Sequence, residues 1–199
     1  MFSGIIESVG NITAVNRTAT NARFEFETAT LSLNGAQPGS SIAVNGACLT
    51  VVELLGSGFS ADLSSETLAC TTFDELEVGA RVNLESALVL GDSLDGHLVT
   101  GHVDGVGTVR SVSDEGDSLF LELTAPSDLA RYIARKGSVC IDGVSLTVNS
   151  IAKEVFRLMI VPHTQNHTII AGYAPGVRVN IEVDLIARYL ERFLQYTEE

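Results

Sequence analysis

At 199 residues, 45% hydrophobic and 19% charged, the chain has an ordinary globular composition and room for one large domain or two small ones. Its formal charge of −13 lacks the basic footprint that nucleic acid and anionic membrane surfaces select, so neither is an expected partner. No apolar run approaches the roughly 20 residues of a membrane-spanning helix.

Taken in chain order, the opening Met1-Phe2-Ser3-Gly4-Ile5-Ile6-Glu7 has neither the basic region nor the long apolar stretch of a signal peptide. Arg23-Phe24-Glu25-Phe26-Glu27 alternates as a half-buried strand does. Residues 29–38 are looser. Residues 41–51 set Asn45-Gly46 between two alternating runs, the strongest short hairpin pattern. Residues 118–123 alternate again, and the stretch from Pro126 to Ile133 suggests a short helix between strands. A second hairpin follows around Asp142-Gly143. From Asp184 onward the spacing turns helical, with Asp184 at the N-cap and Ile186, Tyr189, Phe193 and Tyr196 on a three-four step. That stripe must bury against its own barrel or another subunit, and oligomerisation through it is expected. The three cysteines, Cys48, Cys70 and Cys140, have no metal-ligand spacing and read as reduced thiols. The expected location is therefore the cytoplasm, where the sequons at Asn11 and Asn166 stay silent.

The chain repeats itself. Residues 41–51 return as residues 138–148, which is 97 positions on (138 − 41). In the same register Gly4 falls on Gly101, Val9 on Val106, Gly10 on Gly107, and Glu66-Thr67 on His163-Thr164. Residues 79–85 fall on 176–182. The organisation is two copies of a small antiparallel β-barrel with a helix left over.

The hairpin turn fixes the faces. Ile42, Val44, Ala47, Leu49 and Val51 share one side and are the expected core; Val139, Ile141, Val144, Leu146 and Val148 are their counterparts. The opposite side carries Ser41, Ala43, Cys48 and Thr50, matched by Ser138, Cys140, Ser145 and Thr147. This small, hydroxyl-rich, uncharged face is either a plain solvated surface or a platform for a flat polar ligand. His97 and His102 find no third ligand at metal spacing, so a structural histidine is the expectation. Gly105-Val106-Gly107 lacks the rest of a dinucleotide fingerprint and reads as turn chemistry. Cys48, with no cation nearby in sequence, defaults to a buried inert thiol.

These blocks, with Gly96-His97-Leu98-Val99-Thr100-Gly101-His102-Val103-Asp104 and Ile160-Val161-Pro162-His163-Thr164, resemble riboflavin synthase over nearly the whole chain. Ser3 stands where the family more often has threonine. The resemblance implies an all-β fold: two tandem six-stranded Greek-key barrels related by internal duplication, over residues 1–90 and 97–184, plus a C-terminal α-helix at 185–199 that holds a homotrimer. It implies dismutation of two molecules of 6,7-dimethyl-8-ribityllumazine to riboflavin and 5-amino-6-(ribitylamino)uracil, with no cofactor and no metal. Association with lumazine synthase is a further partner seen in parts of the family.

Carried over residue by residue, the resemblance implies an N-terminal site of Gly4, Ile5 and Ile6, of Cys48, Leu49 and Thr50 with Ser41 beside them, and of Asp62, Leu63, Ser64, Ser65, Glu66 and Thr67. The C-terminal site would use Gly101, His102 and Val103, then Ser145, Leu146 and Thr147, then Ile160, Val161, Pro162, His163 and Thr164, with Lys136 from a neighbouring chain. Backbone groups would read the uracil-like edge and hydroxyls and carboxylates the ribityl chain. Donor and acceptor must differ, and the copies differ at Cys48/Ser145, Ile5/His102, Phe2/Val99, Asp62/Met159 and Glu66/His163. His102 is expected to assist removal of a methyl proton, with Ser145 and Thr147 ordering the ring and Cys48 acting at the acceptor. Asp184 would assist proton transfer, a role compatible with capping the last helix. The rival readings are a non-catalytic lumazine- or flavin-binding antenna protein and a flavin-binding barrel of an electron-transfer system.

Overall fold

The computed structural model describes residues 1–197, so positions 198–199 of the expected terminal helix lie outside the described residues. The alternating segments form β1 (Ser8–Arg17), β2 (Ala22–Glu27), β3 (Ser41–Val44), β4 (Ala47–Leu55), β5 (Gly58–Leu63) and β6 (Arg81–Ser86). The second set is β7 (Gly105–Glu115), β8 (Ser118–Thr124), β9 (Ser138–Ile141), β10 (Val144–Ala152), β11 (Val155–Ile160) and β12 (Arg178–Val183). Helix α1 (Ser65–Cys70) follows β5, α2 (Pro162–His167) follows β11, and α3 (Leu185–Thr197) follows β12.

Each set closes into an antiparallel barrel, in the order β1-β2-β5-β4-β3-β6 and β7-β8-β11-β10-β9-β12. The strand after each three-strand meander returns beside its first member, which is the Greek key. The ladder of β1 slips at Ile12/Ala14 and that of β4 at Val51/Glu53; β7 and β10 slip at the equivalent Val109/Ser111 and Val148/Ser150. Such bulges sharpen local bending, as closing a six-stranded sheet demands. Both hairpin turns have positive φ at both central residues, 44° and 78° at Asn45 and Gly46 and 43° and 85° at Asp142 and Gly143, as the Asn-Gly and Asp-Gly pairs demand.

The expected core faces are buried: Ile42, Val44, Ala47, Leu49 and Val51 are at most 3% exposed. The first core is aromatic, with Phe24, Phe26, Phe59 and Phe73 in mutual ring contact. The second is mainly aliphatic around Phe156. The opposite face is open at Thr50 and Thr147 and covered at its middle. Ala43 and Cys140 are buried with Phe2 and Val99 in a small cluster between the barrels, and Cys48 packs against it. Small side chains at the middle of this face admit another stretch of backbone. The helix expected near 126–133 is reduced to a single 3-10 turn, Ala130–Tyr132.

The barrels meet turn to turn. A Cβ on Gly46 would lie 2.7 Å from the Gly143 nitrogen, and one on Gly143 would lie 2.9 Å from the Gly46 nitrogen. Around this contact the Asn83 amide donates to the Asp142 carbonyl at 2.8 Å and accepts from the Ile169 N–H at 2.9 Å. Asn180 reciprocates, donating to the Asn45 carbonyl at 2.8 Å and accepting from the Thr72 N–H at 2.8 Å. Each amide thus both donates and accepts across the joint, and these buried polar groups are paired.

One asymmetry breaks this reciprocity. The Asn45 side chain accepts from the Asn83 N–H at 2.7 Å, whereas Asp142 accepts from the Asn180 N–H at 2.8 Å and also from the Tyr173 hydroxyl. Burial pushes the Asp142 carboxyl up from 3.8 to about 7, against those two bonds. The folded chain therefore keeps a proton that the unfolded chain releases, and stability falls as pH rises through that window. Asp142→Asn, which copies Asn45, should remove this slope. Denaturation between pH 4.5 and pH 8 should show the parent losing on the order of 3 kcal/mol relative to the variant. Parallel pH profiles for the two proteins would overturn the assignment.

Candidate lumazine site

Residues 2–4 and 99–101 run side by side between the barrels, bridged by Phe2 N–H to the Val99 carbonyl at 2.8 Å and Val99 N–H to the Phe2 carbonyl at 3.1 Å. Each then crosses to the other barrel. The Gly4 carbonyl accepts from the Ser145 N–H at 2.8 Å, and the Gly101 carbonyl from the Cys48 N–H at 2.8 Å. Glycine is required at both places: φ is +77° and +80°, and added Cβ atoms would lie 2.6 Å from the Ser145 Cβ and 2.5 Å from the Cys48 Cβ. Beyond the glycines, Ile6 packs on the second core and Val103 on the first.

This exchange regroups the expected site residues. Gly101, His102 and Val103 line a cavity of about 210 Å³ with Cys48, Glu66, Thr67 and Cys70 of the first barrel. Gly4 lies instead on Ser145 of the second barrel. The sequence-based partition, which kept Gly4, Ile5 and Ile6 with Cys48 and Gly101, His102 and Val103 with Ser145, is corrected: each leader segment serves the opposite barrel. A repeat offset matches residues to their counterparts but says nothing about which copy they pack on.

The group beside Ser145 within the chain is His97, not His102. The His97 Nδ1 lies 2.7 Å from the Ser145 Oγ, and the His97 N–H donates to the Ser3 carbonyl at 3.1 Å. Its Nε2 is buried without a partner among the described residues. Burial holds the imidazole below the ordinary histidine value, opposed by the negative charge of Asp184. Asp184 also accepts from the Ile186 N–H at 3.0 Å, so it caps α3 as expected while acting on His97. Sequence reasoning preferred a structural histidine to a metal ligand at His97, but missed its pairing with Ser145. Its place inside the Gly96–Asp104 block was the available hint.

Several other expected residues are available only through their backbone. Leu49, Leu63, Leu146 and Ile160 point into the cores at 8% exposure or less. Asp62 is engaged by Arg23 in a two-pronged ion pair at 2.7 Å, which holds its carboxyl below the usual range. Ser64 caps α1 by accepting from the Thr67 N–H at 3.2 Å, and Ser65 and Glu66 are exposed on that helix. At the equivalent place Pro162 opens α2, Val161 and His163 are exposed, Thr164 is half-buried, and the His163 and His167 rings stack 4.1 Å apart. Thr50 and Thr147 are exposed at equivalent positions, as are Ile5 and Lys136. Ser41 lines a separate groove with Ser86 and Ala87. Ile186, Tyr189, Phe193 and Tyr196 are 62% to 70% exposed, so the α3 stripe is not covered by its own barrel.

Two closed barrels with exchanged leaders and equivalent polar sites define a duplicated lumazine-binding protein: the model of the lumazine binding domain family matches residues 3–87 and again 100–184. The chain is 46% identical to the riboflavin synthase of Photobacterium phosphoreum, over 98% of this chain and 89% of that one. It is 41% identical to that of Mycobacterium tuberculosis, over 98% of both. Among solved structures, LumP complexed with riboflavin superposes with a TM-score of 0.84 at 30% identity, over 92% of this chain and 99% of that one. LumP complexed with 6,7-dimethyl-8-(1'-D-ribityl) lumazine gives 0.82 at 28%, with the same coverage. The chain belongs to the riboflavin synthase family and is an enzyme of that type.

The His97 environment makes a direct prediction. Ring nitrogen shifts followed by NMR should show His97 less than half protonated at pH 6.5, where an unperturbed histidine is half protonated. Because its folded value is depressed, its contribution to stability is complete above the unfolded value and is lost as pH falls below it. A His97 that titrates at or above pH 6.5 would contradict the buried pairing.

Proposed function

We propose that the protein carries out the dismutation of two 6,7-dimethyl-8-ribityllumazine molecules, one passing a four-carbon unit to the other, to give riboflavin and 5-amino-6-(ribitylamino)uracil. The observation that carries this reading is the pair of equivalent but chemically unlike sites: Cys48 with His102 and Glu66 at one, Ser145 with His97 at the other. A reaction between two identical substrates needs two alike binding places and unlike chemistry at each.

The donor must lose a proton from a methyl group conjugated to its ring, and the ring stabilises the resulting anion. The base needs only to be neutral and well placed. His97 qualifies through Ser145: burial disfavours its cationic form, and its Nδ1, bonded to the Ser145 Oγ, takes the proton that the Ser145 oxygen draws from the methyl group. Asp184 stabilises the imidazolium once it forms. Ser145 orders the substrate beside this base. Cys48 acts at the acceptor, by hydrogen bonding or by adding to the electrophilic ring carbon. Thr67 and the Gly101 backbone hold the acceptor in the same cavity.

The apolar stripe of α3 joins chains into a homotrimer and sets the Cys48 site of one chain opposite the Ser145 site of the next. His102 then works beside Ser145 across two chains, with Lys136 reaching in from the same neighbour. Holding the rings stacked lowers the barrier by up to ~7 kcal/mol through proximity alone. The protein works in the cytoplasm, and association with lumazine synthase fits the same pathway step. The antenna reading draws on the LumP likeness, at 30% identity; the riboflavin synthases stand closer at 36% to 46%.

Mixing the protein with 6,7-dimethyl-8-ribityllumazine should yield riboflavin and the diaminouracil product in equal amounts from two substrates. Tight, fluorescent binding with no riboflavin would favour the antenna. His97→Gln should lower kcat by about 10²-fold or more with KM changed far less, and Cys48→Ser should impair turnover more than lumazine binding. Full activity in either variant would remove that residue from the mechanism.

A further inference from the structure

Two buried carboxylates have no part in the chemistry above. Glu85 on β6 and Glu182 on β12 occupy equivalent places and are 3% and 2% exposed. Glu85 Oε1 accepts from the Ser3 N–H at 2.6 Å and the Ser3 hydroxyl at 2.7 Å, and Oε2 accepts from the Gly4 N–H at 3.1 Å. Glu182 Oε1 accepts from the Thr100 N–H and hydroxyl, both at 2.7 Å, and Oε2 from the Gly101 N–H at 2.9 Å. Neither takes part in an ion pair among the described residues. Each charge is met instead by three donors of one short segment. Burying a carboxylate is costly, and a site that buries one on backbone N–H groups fixes that backbone firmly.

What the carboxylates fix belongs to the other barrel. The residue that Glu182 grips, Gly101, presents its carbonyl to the Cys48 N–H, and His102 and Val103 beyond it complete the cavity around Cys48. The residue that Glu85 grips, Gly4, presents its carbonyl to the Ser145 N–H, while the Ser3 carbonyl receives the His97 N–H. We propose that Glu85 and Glu182 are crossed positioning residues, each barrel's glutamate fixing the backbone wall of the opposite barrel's lumazine site. The assignment of these walls to lumazine rests on the function proposed above; the crossed mechanical coupling rests on the geometry.

Replacing either glutamate by glutamine keeps the volume but turns one acceptor oxygen into an amide that faces a donor. In Glu182→Gln the Gly101 carbonyl loosens, so hydrogen exchange of the Cys48 amide should accelerate about tenfold or more while that of the Ser145 amide stays within about twofold. Alkylation of the Cys48 thiol by iodoacetamide, followed by peptide mass spectrometry, should change in the same variant. Glu85→Gln should do the converse, exposing the Ser145 amide and sparing that of Cys48. If each substitution acts on its own barrel, Glu182→Gln freeing strands beside Cys140 and leaving Cys48 protected, the proposal fails. Equal acceleration at both amides in both variants would also overturn it, as a general loss of stability. Should Glu182→Gln not fold, Thr100→Val removes the hydroxyl, which donates to Glu182 and accepts from the His102 N–H, keeps both backbone bonds to Glu182, and must show the same bias toward Cys48. These measurements use the full, unliganded chain, so failure to convert ribityllumazine would sink the proposed function and leave this coupling standing.

Discussion

Two main chains meet at Gly46 and Gly143 with no room for a methyl group between them, and the rest of the molecule is arranged around that approach. The positive φ of the hairpin turns and the contact across the joint ask for glycine independently. Once the turns touch, Asn83 and Asn180 can each reach a carbonyl of the opposite turn, and the leaders at residues 2–4 and 99–101 have a trough of small side chains to run through. A bulkier residue at any of these places would part the barrels and, with them, the walls of both sites.

Reciprocity at the joint is the rule for contacts made by two like surfaces: what one presents, the other receives. Departures from it therefore stand out. Cys48 facing Ser145 across the relation, Asn45 facing Asp142, and Glu66 facing His163 are such departures. The shared frame supplies like geometry to both barrels, and the unlike side chains set the two apart chemically. On the function proposed above, that difference is what a donor and an acceptor built from one duplicated barrel require.

Much of the fold was legible because its determinants are local. Asn45-Gly46 and Asp142-Gly143 specify a turn, the turn specifies the register, and the register sorts core from outer face. The cap at Asp184 and the three-four stripe beyond it were equally local. The candidate site was less legible. Its residue types could be found by spacing, but their grouping depends on residues 4 and 101 crossing between barrels, a long-range event that no periodicity encodes. The small outer face of β3 and β4 was ambiguous for the same reason, since small side chains suit a solvent surface, a ligand and a crossing backbone alike. His97 was missed because its partner Ser145 is 48 positions away and its character comes from burial.

Residues 2–4 are held by Glu85 of their own barrel but present the Gly4 carbonyl to the second, and residues 99–101 are held by Glu182 but present the Gly101 carbonyl to the first, so neither half owns all of its parts. The cavity beside Cys48 therefore has a wall, Gly101 to Val103, that its own half does not supply. Because the two copies are joined in one chain, their sequences can differ while these shared contacts stay matched, as Cys48 and Ser145 do.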